Sequence, residues 1–329
     1  MDNNQKKLDK NIDLFFESIN SVQNEYFLID KNSNKIHFTL EAIQYLLKKK
    51  TNIKKDDLVL IKGHSAIDGK YNIDKENIFK NLKENELKYC IFLDNFMISK
   101  KGSYTSHFEP FVVVKKNDTL YLINIENDYI YSKDMKTISI PKIQYNSTDC
   151  STLCVEFLKY ISTNGSEIVD KIIADSEKLN DIIHLNQNHI NRYPIFKYIQ
   201  SRGAFESDNF DNIKNKSKKR ATRVCFNSKQ NKDINHSLID KGISFLGLIL
   251  NDDNIFNSII NNIDEEENIN KQYREKEKQN IRNIKESVKN YLKQRKYMLD
   301  SIIDEKEIQN KKNNIESLDY SQIDDSIKK

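Results

Sequence analysis

The stretch that most constrains this chain runs from Pro141 to Leu158, Pro-Lys-Ile-Gln-Tyr-Asn-Ser-Thr-Asp-Cys-Ser-Thr-Leu-Cys-Val-Glu-Phe-Leu. Pro141 and the polar cluster Asn146-Ser147-Thr148-Asp149 oppose helix before the cysteine, and Ser, Thr and Asp are favoured N-terminal caps. Leu153, Val155, Phe157 and Leu158 then begin an amphipathic run. Cys150 is therefore expected in the first turn of a helix, where unpaired backbone N–H groups and the macrodipole favour a thiolate. The plain alternative for a single cysteine is a small buried hydrophobe.

A thiolate nucleophile needs a base, and the base an orienting group. Gln144 offers a side-chain N–H which, with the backbone N–H of Cys150, would make an oxyanion hole worth about 3–4 kcal/mol per donor. His107 heads the apolar run Phe108, Phe111, Val112, Val113 and Val114. A turn at Lys116-Asn117-Asp118 and a second strand, Leu120 to Glu126, follow. An antiparallel hairpin sets the end of the second strand beside the start of the first, returning Glu126 towards His107. Asn124 lies on the same strand face and Asp128 two residues further on, so a register shift would substitute either. Cys154, one helical turn beyond Cys150, reads as core; a C-x3-C pair without further ligands is no zinc site.

The order His107, Glu126, then Gln144-Tyr145-Asn146-Ser147-Thr148-Asp149-Cys150 resembles clan CE cysteine proteases, which include the ubiquitin-like-protein proteases, adenoviral protease and the YopJ family of bacterial effectors. Phe196-Lys197-Tyr198-Ile199-Gln200-Ser201-Arg202 is similar to the F-x-K-H-T-Q-[SG]-[RK]-type stretch that follows the nucleophile in YopJ-like acetyltransferases. Ser151 stands where that family usually has Gly, and Tyr198-Ile199 replaces its His-Thr pair. The resemblance covers roughly residues 55 to 250. It implies an α+β fold: a papain-related core of the ubiquitin-like-protein-protease type, with a central mixed sheet and a nucleophile helix, plus helical additions at both ends. It implies transfer of acetyl from acetyl-CoA through a Cys150 thioester to Ser, Thr or Lys of a host protein, of the kinase or other signalling class. It further implies a lobe binding acetyl-CoA and an inositol hexakisphosphate activator, with Lys197 as autoacetylation site and Gln200 and Arg202 beside it.

The residues themselves make a related point. Lys214, Lys216, Lys218, Lys219, Arg220 and Arg223 follow one another with no acid between, and such density suits a polyanion. A solvated loop in a Lys-rich chain is the bland reading. Two other functions share the chain. One is an isopeptidase acting on ubiquitin or SUMO through the same cysteine, although those proteases usually carry Trp after the catalytic His and this chain has Phe108 and no Trp. The other is an inactive binding protein using its C-terminal helix.

Four segments are expected: an N-terminal helical part (1–55), the catalytic core (56–190), the regulatory lobe (191–250) and a charged helical extension with a disordered tail (251–329). In the first, Leu8, Ile12, Phe15, Ile19 and Val22 form one apolar helical face, and Leu40, Ile43, Leu46 and Leu47 another. Asp74 is placed to cap a helix carrying Ile78, Phe79 and Leu82. Asp57–Ile61 and Cys90–Leu93 read as strands, the second a neighbour for the His107 hairpin. Thr137–Ile140 reads as a short strand, and Ser166 as the cap of a helix from Ile168 to Ile183. Ile281, Ile284, Val288, Tyr291, Met298 and Ile302 keep a three-four spacing interrupted by Arg295, for a helix that packs back on the core or reaches a partner.

The net charge of +4 is too small to imply nucleic acid. No apolar run is of membrane-spanning length, and Met1 to Lys10 lacks the apolar centre of a signal peptide. Four cysteines without framework spacing fit a reducing compartment. A soluble intracellular protein fits these features, including one exported to a host by a route that leaves no cleavable signal, and the resemblance implies export by a bacterium into host cytoplasm.

Overall fold

A computed structural model describes residues 3–63, 71–72, 79–96, 105–125, 130–140, 150–177, 238–265 and 270–296. At its centre is a five-stranded mixed sheet of order β10-β8-β7-β6-β4, built from β4 (Leu58–Gly63), β6 (Leu87–Phe96), β7 (Thr105–Lys116), β8 (Thr119–Ile125) and β10 (Lys136–Ile140). The middle strands are antiparallel, while β4 joins β6, and β10 joins β8, in parallel. The β7–β8 hairpin turns at Asn117 and Asp118, with φ of 48° and 58°. That left-handed pair is what a tight hairpin asks for, and Asn and Asp tolerate it best. Two short strands, β5 (Tyr71–Asn72) and β9 (Ile130–Tyr131), pair in parallel apart from the main sheet.

Both faces of the sheet are apolar, and alternation along each strand divides them. One face carries Ile61, Cys90, Phe92, Phe111, Val113 and Leu122, closed by Phe79 and Leu82. The other carries Ile91, Phe108, Val112, Val114, Tyr121, Ile123 and Ile138 and receives helix α3 (Cys150–Glu177). Gly165, at φ 60° and ψ −146°, interrupts that helix, so the break expected before Ser166 is there. A residue with a Cβ is strained at that φ.

The N-terminal segment differs from the helical expectation. Helix α1 (Asn3–Glu17) and helix α2 (Leu40–Lys50) flank an antiparallel three-stranded sheet, β1 (Val22–Gln23), β2 (Phe27–Asp30) and β3 (Lys35–Phe38). Strands this short leave little periodic trace in sequence. Their turn rests on Asn34 at φ 52°, and the Thr39 hydroxyl caps α2 by accepting from the Ala42 amide at 3.4 Å.

The C-terminal helices α4 (Leu238–Leu250), α5 (Asp253–Glu265) and α6 (residues 271–296) share the larger core with α1, α2 and α3. Ile281, Ile284, Val288 and Tyr291 are all buried, so α6 packs back on the core. Arg295, which broke the apolar spacing, has a reason to be there. Its Nε donates to Asp240 Oδ1 at 2.5 Å, and the Tyr291 hydroxyl donates to the same oxygen at 2.9 Å. The wholly buried Asp240 thus joins α4 to α6. Asp74, Ile78, Ile182, Ile183, Met298 and Ile302 lie outside the described residues. Among those described, no helix is long and apolar enough to cross a membrane.

Candidate functional site

Cys150 is the first residue of α3. Its side chain is 1 % exposed and sits in the core shared by helix and sheet. Every residue from Cys150 to Leu158 is buried, Ser151, Thr152 and Glu156 among them. Cys154 lies one turn deeper, and burial pushes its thiol well above the ordinary cysteine range, with Cys150 beside it adding in the same direction. Cys90, on the far side of the sheet, is likewise pushed up by burial. Desolvation disfavours a thiolate at both positions, so these two are core. Among the described cysteines, Cys150 alone begins a helix, where the first backbone N–H groups have no partner within the helix.

His107 occupies the third position of β7, its backbone opposite Asp94 of β6. The residue after it, Phe108, is buried in the same core as Cys150. Along β7 the even positions 108, 112 and 114 serve the α3 face, and 111 and 113 the other. Position 107 is odd. Asn124, considered for the acid, is buried at 1 % and pairs with Phe111, on the face away from α3. Glu126, Asp128, Gln144, Lys197, Gln200, Arg202, Lys218, Lys219, Arg220 and Arg223 lie outside the described residues. Among the described residues no group of His, Cys, Asp and Glu could hold a metal ion.

Sequence reasoning missed the surroundings of the helix mouth. The backbone N–H of Phe38, at the end of β3, donates to Ser151 Oγ at 3.0 Å in a buried hydrogen bond. The neighbouring His37 stacks on Phe108, with ring centroids 5.6 Å apart and planes at 28°. Helix α4 approaches the same turn: a Cβ added at Gly242 would lie 3.5 Å from Thr152 Oγ1 and 3.9 Å from Ile36 Cβ. Phe245 of α4 meets Phe38 edge-on at 6.3 Å. A polar Ser and Thr directly after the cysteine were the one hint that this turn is packed on both sides.

No family model and no curated protein matches the chain. Among solved structures, it is similar to an AvrA deletion variant with IP6 and CoA (15 % identity, TM-score 0.35, 74 % of this chain and 99 % of that one). It is similar also to HopZ1a in complex with IP6 (9 %, 0.31, 73 % and 90 %). A de-sumoylating protease is a third (13 %, 0.27, 79 % and 92 %). Every one of these TM-scores lies below 0.5.

Proposed function

We propose that the chain is a cysteine acyltransferase that carries acetyl from acetyl-CoA, on Cys150, to a Ser, Thr or Lys side chain of a host protein. The observation that carries this reading is the placement of Cys150 as first residue of a helix packed on the strand that bears His107. The stretch Phe196–Arg202 directs the choice of donor, because Lys197, Gln200, Ser201 and Arg202 resemble the YopJ-like pattern, although Tyr198-Ile199 departs from it.

In this reaction the Cys150 thiolate attacks the acetyl carbonyl, and the oxyanion is met by the Cys150 backbone N–H and the Gln144 amide. The C–S bond to CoA breaks, the imidazolium of His107 protonates the departing thiolate, and an acetyl thioester remains on Cys150. His107 then takes the proton of the acceptor hydroxyl or amine as it attacks the thioester, and Cys150 leaves as thiolate, which restores the thiolate–imidazolium pair. A hairpin that kept the Phe111–Asn124 register would set position 126 opposite Glu109 and position 128 opposite His107. Glu126 remains the proposed orienting acid, with Asp128 its competitor. The basic run from Lys214 to Arg223 is proposed to bind inositol hexakisphosphate, with Lys197 as self-acetylation site. Export from a bacterium into host cytoplasm belongs to the same proposal.

The test is incubation of the full chain with radiolabelled acetyl-CoA, with and without inositol hexakisphosphate. The protein should label itself, more strongly with the polyanion, and Cys150→Ala should lower labelling by at least about 10³-fold. Self-labelling unchanged in Cys150→Ala would end the nucleophile assignment. Rapid reaction of Cys150 with a ubiquitin or SUMO vinyl sulfone, without acetyl incorporation, would transfer the assignment to an isopeptidase.

A further inference from the structure

Strand β3 touches the residue that follows each of the two proposed catalytic groups. The Phe38 backbone N–H holds Ser151 Oγ, next to Cys150, at 3.0 Å. One residue earlier, the His37 ring lies on Phe108, next to His107. Both contacts come from one short strand, which is itself fixed by its ladder to β2 (Leu28–His37 and Phe27–Phe38) and by Phe245 of α4. The Ser151 contact is inside the core, with Ser151 0 % exposed.

From this we infer that β3 sets the distance between the nucleophile helix and the strand carrying the base, with Ser151 and His37 as positioning residues. The inference rests on the acyl-transfer reading and adds to it a part of the chain outside the resemblance. A buried backbone N–H must find an acceptor, so α3 cannot slide past β3 without orphaning the Phe38 N–H. A stacked pair of rings similarly fixes one separation and one tilt. Together they tie the first turn of α3 and the start of β7 to the same two residues. A shift of about 1 Å between catalytic groups costs on the order of 10²-fold in rate, so such a tether bears on chemistry as well as on stability. It also gives Ser151 a use that glycine, usual at this place in YopJ-like proteins, could not supply.

The experiment measures iodoacetamide alkylation of each cysteine against pH by mass spectrometry, on the full chain and on Ser151→Ala and His37→Ala. Cys154 is the internal control, since it lies one turn further from the start of the same helix. In the unmodified chain Cys150 should react with a midpoint below the roughly 8.5 of an ordinary thiol, while Cys154 stays protected. Each variant should move the Cys150 midpoint upward and slow its labelling at pH 7 several-fold, with Cys154 still protected. Should Ser151→Ala fail to fold, as its thermal midpoint would report, His37→Ala at the half-buried anchor carries the test. Variants that keep the Cys150 profile, or that expose Cys154 in step with Cys150, would overturn the positioning role. An ordinary or absent Cys150 midpoint in the unmodified chain would instead remove the nucleophile reading beneath it.

Discussion

The two halves of α3 are different kinds of helix. Before Gly165, nine consecutive residues from Cys150 to Leu158 are buried. After it, Ile168, Val169, Ile172, Ile173 and Ser176 are buried while Glu167, Asp170 and Lys171 face solvent. The second half is an ordinary amphipathic helix with one wall to lean on. A helix buried all round needs two walls, and the first half has them: the central sheet on one side, and β3, α2 and α4 on the other. The difference teaches that the N-terminal sheet and the helices after residue 238 complete the site's own core.

The sharpest break of this contrast is volume removal. Phe157→Ala, at a fully buried position in the first half, should destabilise by about 3–5 kcal/mol in denaturant titration. Lys171→Ala, exposed in the second half, should stay within about 0.5 kcal/mol. Equal costs would erase the distinction.

A smaller effect comes from the wall itself. Gly247 of α4 faces α6, where an added Cβ would sit 2.9 Å from Leu292 Cδ1 and 3.1 Å from Val288 Cγ1. Gly247→Ala should cost about 1–3 kcal/mol by overpacking. Gly242→Ala, meeting Thr152 Oγ1 only at 3.5 Å, should cost clearly less in the same titration. The reverse order would mean that α4 leans on α3 more tightly than on α6.

The mildest test is pH. Burial pushes the phenol of Tyr160, near the end of the first half, up to about 12. The unfolded chain loses that proton near 10, so the native state holds the extra proton between the two values. Stability that is whole below pH 10 therefore falls as pH rises from 10 to 12. Tyr160→Phe should flatten part of that fall in thermal midpoints measured against pH, leaving the share of Tyr45, also raised to about 12. An unchanged slope would mean that the phenol is solvated.

The sheet was legible in the sequence wherever strands were long. Cys90–Leu93 and Phe108–Val114 are apolar runs with a clear turn at Asn117-Asp118, and their pairing follows from the hairpin. The helix beginning at Cys150 was legible from the change of a polar cluster into an apolar run, and its break from Gly165-Ser166. Strands β1 to β3 were not, because two to four residues carry no period. Helix α4 was not legible as a helix, for a segment buried on most sides has no polar stripe to reveal its turn. Arg295 interrupts the apolar spacing of α6, and its partner Asp240 is distant in sequence. Of the candidate site, the position of Cys150 at the start of a helix could be read from local pattern. The contacts Phe38–Ser151 and His37–Phe108 join segments far apart in the chain, and nothing local encodes them.

The contact of α1 with α6 has a kinetic side. Phe15 meets Tyr291 at 5.9 Å, and the hydroxyls of Ser18 and Ser287 bond at 3.0 Å across 269 residues of chain. Closing so long a span is slow and comes late. At about 5–20 residues per second of synthesis, Phe15 and Phe16 wait on the order of tens of seconds for the surface that covers them. During that interval the nascent chain shows an apolar stripe, an opening for chaperones and for aggregation alike.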